Sequence, residues 1–229
     1  MKLTKIMSFT AVISAAVPMV HADITVGVVT SSSGPVAMVG IPQRNTIALL
    51  PKKIGTENVR YISLDDGSDP TATVKAMNKL IKENNVDAII GPSGSPNAMA
   101  ALGVIAKAGV PLLAPVGTSG VVVPMDAQRK WVFKTTQNDD LIAQALVQDM
   151  VKRKIKTLGF FGTADPYGEN WSRVISTLAA KNGISVTVKE SFQRQDTSLT
   201  GQALKLVAKK PQAILIAAPG SSAVTPQVA

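Results

Sequence analysis

The chain has 229 residues, no cysteine, one histidine and a formal net charge of +9. Without cysteine there is neither a disulfide framework nor a lipid-modified N-terminal Cys. His21 lies in the N-terminal leader, so Ser-His-Asp and Cys-His nucleophiles and the usual zinc ligands are excluded from the rest. The lysines are scattered, densest at KRKIK (152–156), and aromatic residues to interleave with them are few, which argues for a solvated surface and against nucleic acid.

In chain order, MKLTKIMSFTAVISAAVPMVHA joins two lysines, an apolar run from Ile6 to Val20 and small residues up to Ala22. That order is a secretory signal over 1–22, cleaved after Ala22, and its apolar part is shorter than the roughly 20 residues of a membrane span. Lys, Gly or Pro interrupts every later apolar run, so no transmembrane helix is expected. From residue 23 onward, short Val/Ile-rich runs alternate with segments of helical period, the pattern of parallel βαβ units and an α/β sandwich. Strands are expected at 24–30, 59–65, 87–90, 110–114, 157–162, 184–191 and 212–218.

Between the second and third strands, DPTATVKAMNKLIKEN predicts a helix with Asp69 as N-cap, Pro70 at N1 and an inward stripe of Val74, Met77, Leu80 and Ile81. AIIGPSGSPNAMAALG (88–103) predicts a strand stopping at Gly91 and a helix opening at Ser95-Pro96. Ser95 there is either a plain N-cap or part of an anion-attracting helix end. The segment VVVPMDAQRKWVFKTTQNDD breaks the rhythm and reads as a crossing between lobes, with Thr135, Thr136 and Gln137 free to flex. DDLIAQALVQDMVKRK predicts a helix whose first carboxylates, Asp139 and Asp140, suit its dipole and whose apolar face is Leu141, Ala145, Leu146 and Met150. The lobes are expected at 23–137 and, shorter and incomplete, at 138–229, where the chain is expected to stop soon after its last strand without a covering helix.

Asp65, Asp66 and Asp69 cluster after a strand, but the ligand spacing of a calcium loop is missing, so a turn with an N-cap explains them better than a metal. Neither G-x-G-x-x-G nor a Walker loop is present, and the GPSG turn lacks a Lys. No cofactor and no metal are therefore expected. An enzyme would need a nucleophile–base pair, and no Lys or Glu lies close in sequence to Ser95 or Thr118.

The motifs SSSGPVAMVG, LDDGSDPTATVKAMNKLI, AIIGPSGSPNAMA, GVPLLAPVGTS, KWVFKTTQND and GFFGTADPYGENW, in that order and spacing, resemble the periplasmic solute-binding proteins of the leucine/isoleucine/valine-binding type. The similarity spans nearly all of 23–229. It implies two Rossmann-like lobes of the type I periplasmic binding fold that close over a small ligand and present it to the membrane permease subunits of an ABC importer. It also implies a periplasmic location, no embedding in the membrane and no catalysis.

Carried onto this chain, the family pattern places a ligand carboxylate at Ser95 and Thr118, an amino group at the Val116 carbonyl, and second-lobe contacts at Tyr167, Gly220, Ser221 and Ser222. Uncharged N–H and O–H dipoles can neutralise an anion without burying a cation. Two departures stand out. Val39, followed by Gly40, occupies the place of a first-loop aromatic residue, and the acidic residue that holds the ammonium group would lie beyond Ala229. A branched-chain or other apolar amino acid is thus expected, with an aromatic or other organic acid as the alternative. Family members are longer, so an incomplete chain that binds ligand weakly is expected. An exported α/β hydrolase and a sensory ligand-binding module are the rival classes.

Overall fold

The computed structural model describes residues 23–229, and the expected leader lies outside the described residues. Strands β1 (Ile24–Thr30), β2 (Lys53–Ile54), β3 (Glu57–Asp65), β4 (Ala88–Ile90), β5 (Leu112–Ala114) and β6 (Val132–Lys134) form one sheet in the order β2-β3-β1-β4-β5-β6. Strands β7 (Thr157–Thr163), β8 (Ser185–Phe192) and β9 (Ala213–Ala217) form a second, ordered β8-β7-β9. All pairs are parallel except the β2–β3 hairpin. The α/β fold of two doubly wound lobes read from the sequence is thus the observed architecture.

Two strands escaped the sequence pattern. β2 spans only two residues and is exposed, and β6 spans three with Phe133 facing out, so neither carries a readable alternation. In both sheets the chain winds outward from a central strand, β1 or β7, whose neighbours connect in opposite directions. Loops diverge beside such a strand and leave a crevice at its carboxyl end.

Helices α1 (Ala37–Thr46), α2 (Pro70–Lys82), α3 (Ser95–Ala108), α4 (Asp139–Lys152), α5 (Pro166–Lys181) and α6 (Thr200–Ala208) connect the strands, and a 3-10 turn and α7 (Thr225–Val228) follow β9. The α2 entry is as the sequence predicts: Asp69 caps it, accepting from the Ala72 N–H at 2.6 Å, with Pro70 in the first turn. Its buried stripe is Thr73, Met77 and Leu80, with Ile81 packed beside it and Val74 only half-buried. Thr73 displaces Val74 because its hydroxyl donates to the buried Asp66 carboxylate at 2.8 Å.

The apolar face expected for α4 is corrected. Leu141, Ala145 and Leu146 are exposed, Met150 packs beside the core, and the buried positions are Asp139, Ala143 and Val147. Asp139 sets that face: Asn170 of α5 donates to its carboxylate at 2.6 Å, and steps of four residues then turn Ala143 and Val147 inward. They join Phe160, Trp171, Val174 and Ile175 in the second-lobe core. Accordingly Val147→Ala should cost about 2 kcal/mol of stability. Leu141→Ser should stay within about 0.5 kcal/mol, both read by urea unfolding.

Candidate functional site

Between the two sheets lies a cavity of about 230 Å³, below the roughly 300–1,000 Å³ of drug-sized sites. Carboxyl-end loops of nearly every strand reach it. From the first lobe come Val39 after β1, Ser93, Gly94 and Ser95 after β4, Pro115, Val116 and Gly117 after β5, and Thr136 and Gln137 after β6. The second lobe supplies Asp139 and Ile142 of α4, Tyr167 after β7, Arg194 after β8 and Pro219 after β9. Hydrogen bonds join the lobes on either side: Ser119 to Asn170 at 3.2 Å, and the Ser221 hydroxyl to the Pro35 carbonyl at 3.2 Å.

Helix α3 opens at Ser95-Pro96 as the sequence predicts, and of the two readings of Ser95 the plain N-cap is the one not met. Gly94, with extended backbone, is the N-cap, and Ser95 is the first helical residue with Pro96 next. A Cβ at position 94 would lie 2.5 Å from Asn97 Oδ1, so the Asn97 side chain would have to shift to admit one. Released from capping, the buried Ser95 hydroxyl faces the cavity loops and accepts the Thr118 N–H at 3.3 Å.

Ser95, Val116 and Tyr167 therefore share one cavity, and Thr118 stands directly behind Ser95. The Thr118 hydroxyl accepts from the Gly120 N–H at 3.2 Å, and the Val116 carbonyl accepts from the Thr136 hydroxyl at 2.7 Å. Gly220 and Ser221 lie one and two residues past the lining Pro219, and their loop seats on Pro35; Ser222 is buried and donates to the Pro219 carbonyl at 2.6 Å. The inter-lobe crossing is braced in this conformation, because the Lys134 ammonium donates to the Thr136 and Gln137 carbonyls at 2.9 and 2.5 Å. Burial pulls the Lys134 pKa down against the opposing charges of Asp139 and Asp140.

Gly117 explains how closely the lobes meet. A side chain there would lie 2.8 Å from the Tyr167 ring and 3.1 Å from an Asp139 oxygen. Tyr167 packs on Trp171 with ring centroids 6.5 Å apart and also lines the cavity, so it serves its own lobe and the site together. Burial, reinforced by the Asp139 charge, raises its phenol pKa.

Two charged wall residues were missed by the sequence reading. Asp139 looked like an ordinary helix-start carboxylate, yet it is 2% exposed. Burial raises its pKa to about 6 against the lowering effects of the Asn170 bond and Lys134. Arg194 sits in a polar stretch, FQRQDTS, that carries no local signal. Its Nε donates to Asp165 at 2.6 Å, while Asp165 caps α5 by accepting the Tyr167 N–H at 2.8 Å.

The aspartates after β3 are a turn, as expected. Asp65 accepts from the Ser32 and Gly67 N–H groups and the Ser33 hydroxyl; although burial acts to raise its pKa, these bonds outweigh it and lower the value. Asp66 accepts from the Ser68 N–H, Thr73 and Asn97.

A cavity clasped by the strand ends of two doubly wound lobes defines a two-lobed α/β binding protein of type I architecture. The chain belongs to the periplasmic binding protein family, whose model matches residues 23–226. It is similar to an extracellular ligand-binding receptor from Rhodopseudomonas palustris HaA2, 42% identical with a TM-score of 0.88, covering 90% of this chain and 57% of that one. Among curated proteins it is 25% identical over 200 residues to the Leu/Ile/Val-binding protein BraC3 of Rhizobium johnstonii, covering 84% of this chain and 54% of that protein. A solute-binding protein from R. palustris solved in complex with benzoate shares the fold at 19% identity and a TM-score of 0.77, covering 89% of this chain and 57% of that one. The chain spans about half the length of the curated Leu/Ile/Val-binding relatives it matches. No helix among the described residues is long and apolar enough to cross a membrane.

Proposed function

We propose that this protein is a periplasmic receptor, exported through a cleaved leader over 1–22, that captures a small amino acid and hands it unchanged to the permease of an ABC importer. One observation carries the reading: a single cavity presents both halves of a zwitterion's complement. Ser95 and the α3 end supply hydroxyl and N–H dipoles for a carboxylate, and the buried Asp139 supplies a counter-charge for an ammonium group. Tyr167 adds a ring face beside that ammonium position. The BraC3 relative, by its name, supports an amino-acid ligand.

Function follows from hinge closure. The solute meets the 23–137 lobe at Ser95, which Thr118 braces from behind, and approach of the 138–229 lobe then adds Asp139 and Tyr167, excludes water and creates the surface that the permease reads. The Ser119–Asn170 and Ser221–Pro35 bonds are the kind of contact that holds such a closed form. The test is calorimetry on the full-length protein with amino acids and organic acids. Ser95→Ala and Thr118→Ala should each weaken binding by about 1–3 kcal/mol. Unchanged affinity in both variants removes the site, and conversion of any probe during incubation would return the hydrolase reading.

A plain organic acid is the second reading. With its pKa near 6, Asp139 can hold a proton and present an O–H donor in place of a counter-charge. The benzoate complex of the distant relative is compatible with this chemistry.

A further inference from the structure

Lysines that stand far apart in the sequence are gathered by the fold at one end of the second lobe. Parallel pairing of β7 with β8 and β9 puts the three strand starts, and the helix ends that lead into them, at one pole. The exit of α4 brings Lys152, Arg153, Lys154 and Lys156, the end of α5 brings Lys181, and the exit of α6 brings Lys209 and Lys210. Main-chain bonds stitch these turns together: the Lys156 carbonyl accepts the Ser185 N–H at 2.9 Å, and the Thr157 carbonyl accepts the Gln212 N–H at 3.1 Å. All seven basic residues are exposed.

Helix dipoles favour a cation at each carboxyl end, but they do not account for this density. The α4 exit alone carries four cations, and across the turns 149–157, 181–185 and 207–213 the one carboxylate is Asp149, which pairs with Arg153 at 2.7 Å. The same pole of the first lobe is mixed, with Glu83 and Asp87 following Lys82 between α2 and β4, and Asp126 pairing with Arg129 ahead of β6. The second-lobe cations outside the Arg153 pair are all lysines. A lysine is a hydrated point charge suited to a diffuse anionic surface, whereas nucleic acids and single phosphates are best gripped by an arginine fork. Apolar side chains flank the charge: Val151, in the last turn of α4, is 45% exposed, and Val207, in the last turn of α6, is 61% exposed. Cations with apolar neighbours match a lipid headgroup layer, which carries negative charge at its surface and hydrocarbon just beneath.

We infer that this pole docks on an anionic lipid surface. The cleft lies at the carboxyl ends of the same strands, so the seven residues of β7 separate it from the pole by about 20 Å. Docking therefore leaves the solute site open to solvent. The contact is electrostatic and reversible, and it holds the receptor in the layer next to the membrane whichever solute it carries.

Vesicle sedimentation of the full-length protein tests this, with phosphatidylcholine vesicles against vesicles carrying about 30% phosphatidylglycerol, at about 25 mM and about 500 mM NaCl. Binding is expected on the anionic vesicles at low salt alone. The triple variants Lys152→Gln/Lys154→Gln/Lys156→Gln and Lys181→Gln/Lys209→Gln/Lys210→Gln should each weaken it about 100-fold, at about fivefold per cation. Lys52→Gln/Lys53→Gln/Lys82→Gln, which removes the same charge from exposed sites of the first lobe, should change it less than about threefold. Equal loss in all three variants overturns the proposal, because net charge then suffices. So does equal binding to neutral vesicles, no binding at low salt, or retention by duplex DNA in place of the anionic vesicles. Should one second-lobe variant fail to fold, the other against the first-lobe control decides. None of these outcomes bears on the solute reading, which calorimetry tests separately.

Discussion

Gly168→Ala is expected to destabilise the protein by about 3 kcal/mol or more and to abolish solute binding, because the added methyl has no space and its neighbours are backbone. A Cβ at 168 would lie 1.9 Å from the Thr163 carbonyl oxygen and 2.7 Å from the Thr163 nitrogen. Helix α5 can relieve that clash only by moving away from the end of β7. Such a shift would break the Asp165 cap, carry Tyr167 out of the cavity and loosen the grip on Arg194. Gly103→Ala, within α3 and with open space where the methyl would stand, is the matched control and should gain about 0.5–1 kcal/mol. Urea unfolding of the pair measures the contrast; equal stability of Gly168→Ala and wild type would mean that the helix does not rest on β7 as described.

Asp139→Asn is expected to make the ligand-free protein more stable and the receptor worse. The unfolded carboxyl titrates near 3.8 and the folded one near 6. Between those values the folded protein holds a proton that the unfolded chain has released, so stability falls as pH rises from about 4 to about 6 and is level above. Removing the charge should therefore gain about 3 kcal/mol above pH 6, with the gain vanishing below about pH 4. The Asn170 bond survives, since an asparagine oxygen still accepts it.

Binding moves the other way. A cationic ammonium needs Asp139 ionised, so amino-acid affinity should fall about tenfold per pH unit below 6 and be insensitive to pH above 7, and the substitution should cost about 2–3 kcal/mol of binding at pH 7.5. A plain organic acid predicts the opposite slope, with tighter binding as Asp139 gains its proton. Affinity that is flat between pH 5 and 7.5 would take Asp139 out of ligand contact.

Both predictions concern places where local sequence says little. The Gly168 requirement is a contact between a helix and the strand before it, and the burial of Asp139 depends on Asn170, 31 residues away. The α4 face was misread for the same reason: of Leu141, Ala145, Leu146 and Met150 only Met150 packs on the core, because packing rotates the helix to bury a hydrogen-bonded carboxylate at its start. At Ser95 the predicted helix start holds and only the choice between its two readings was left to the fold. Serine before proline is a sound N-cap pattern, yet the extended backbone at Gly94 takes the cap and turns the serine hydroxyl toward Thr118.

The alternation of Val/Ile runs with amphipathic segments, the Asp-Pro helix starts and the small-residue turns at strand ends determine the doubly wound fold and place Ser95, Val116 and Tyr167 at carboxyl-end loops, because these are local or periodic properties of the chain. Only the tertiary structure decides that Asp139 and Arg194 share a wall with them. Strand order brings the loops after β5, β7 and β8 to one crevice, and the burial and pairing that give those two charges their chemistry arise from groups distant in sequence.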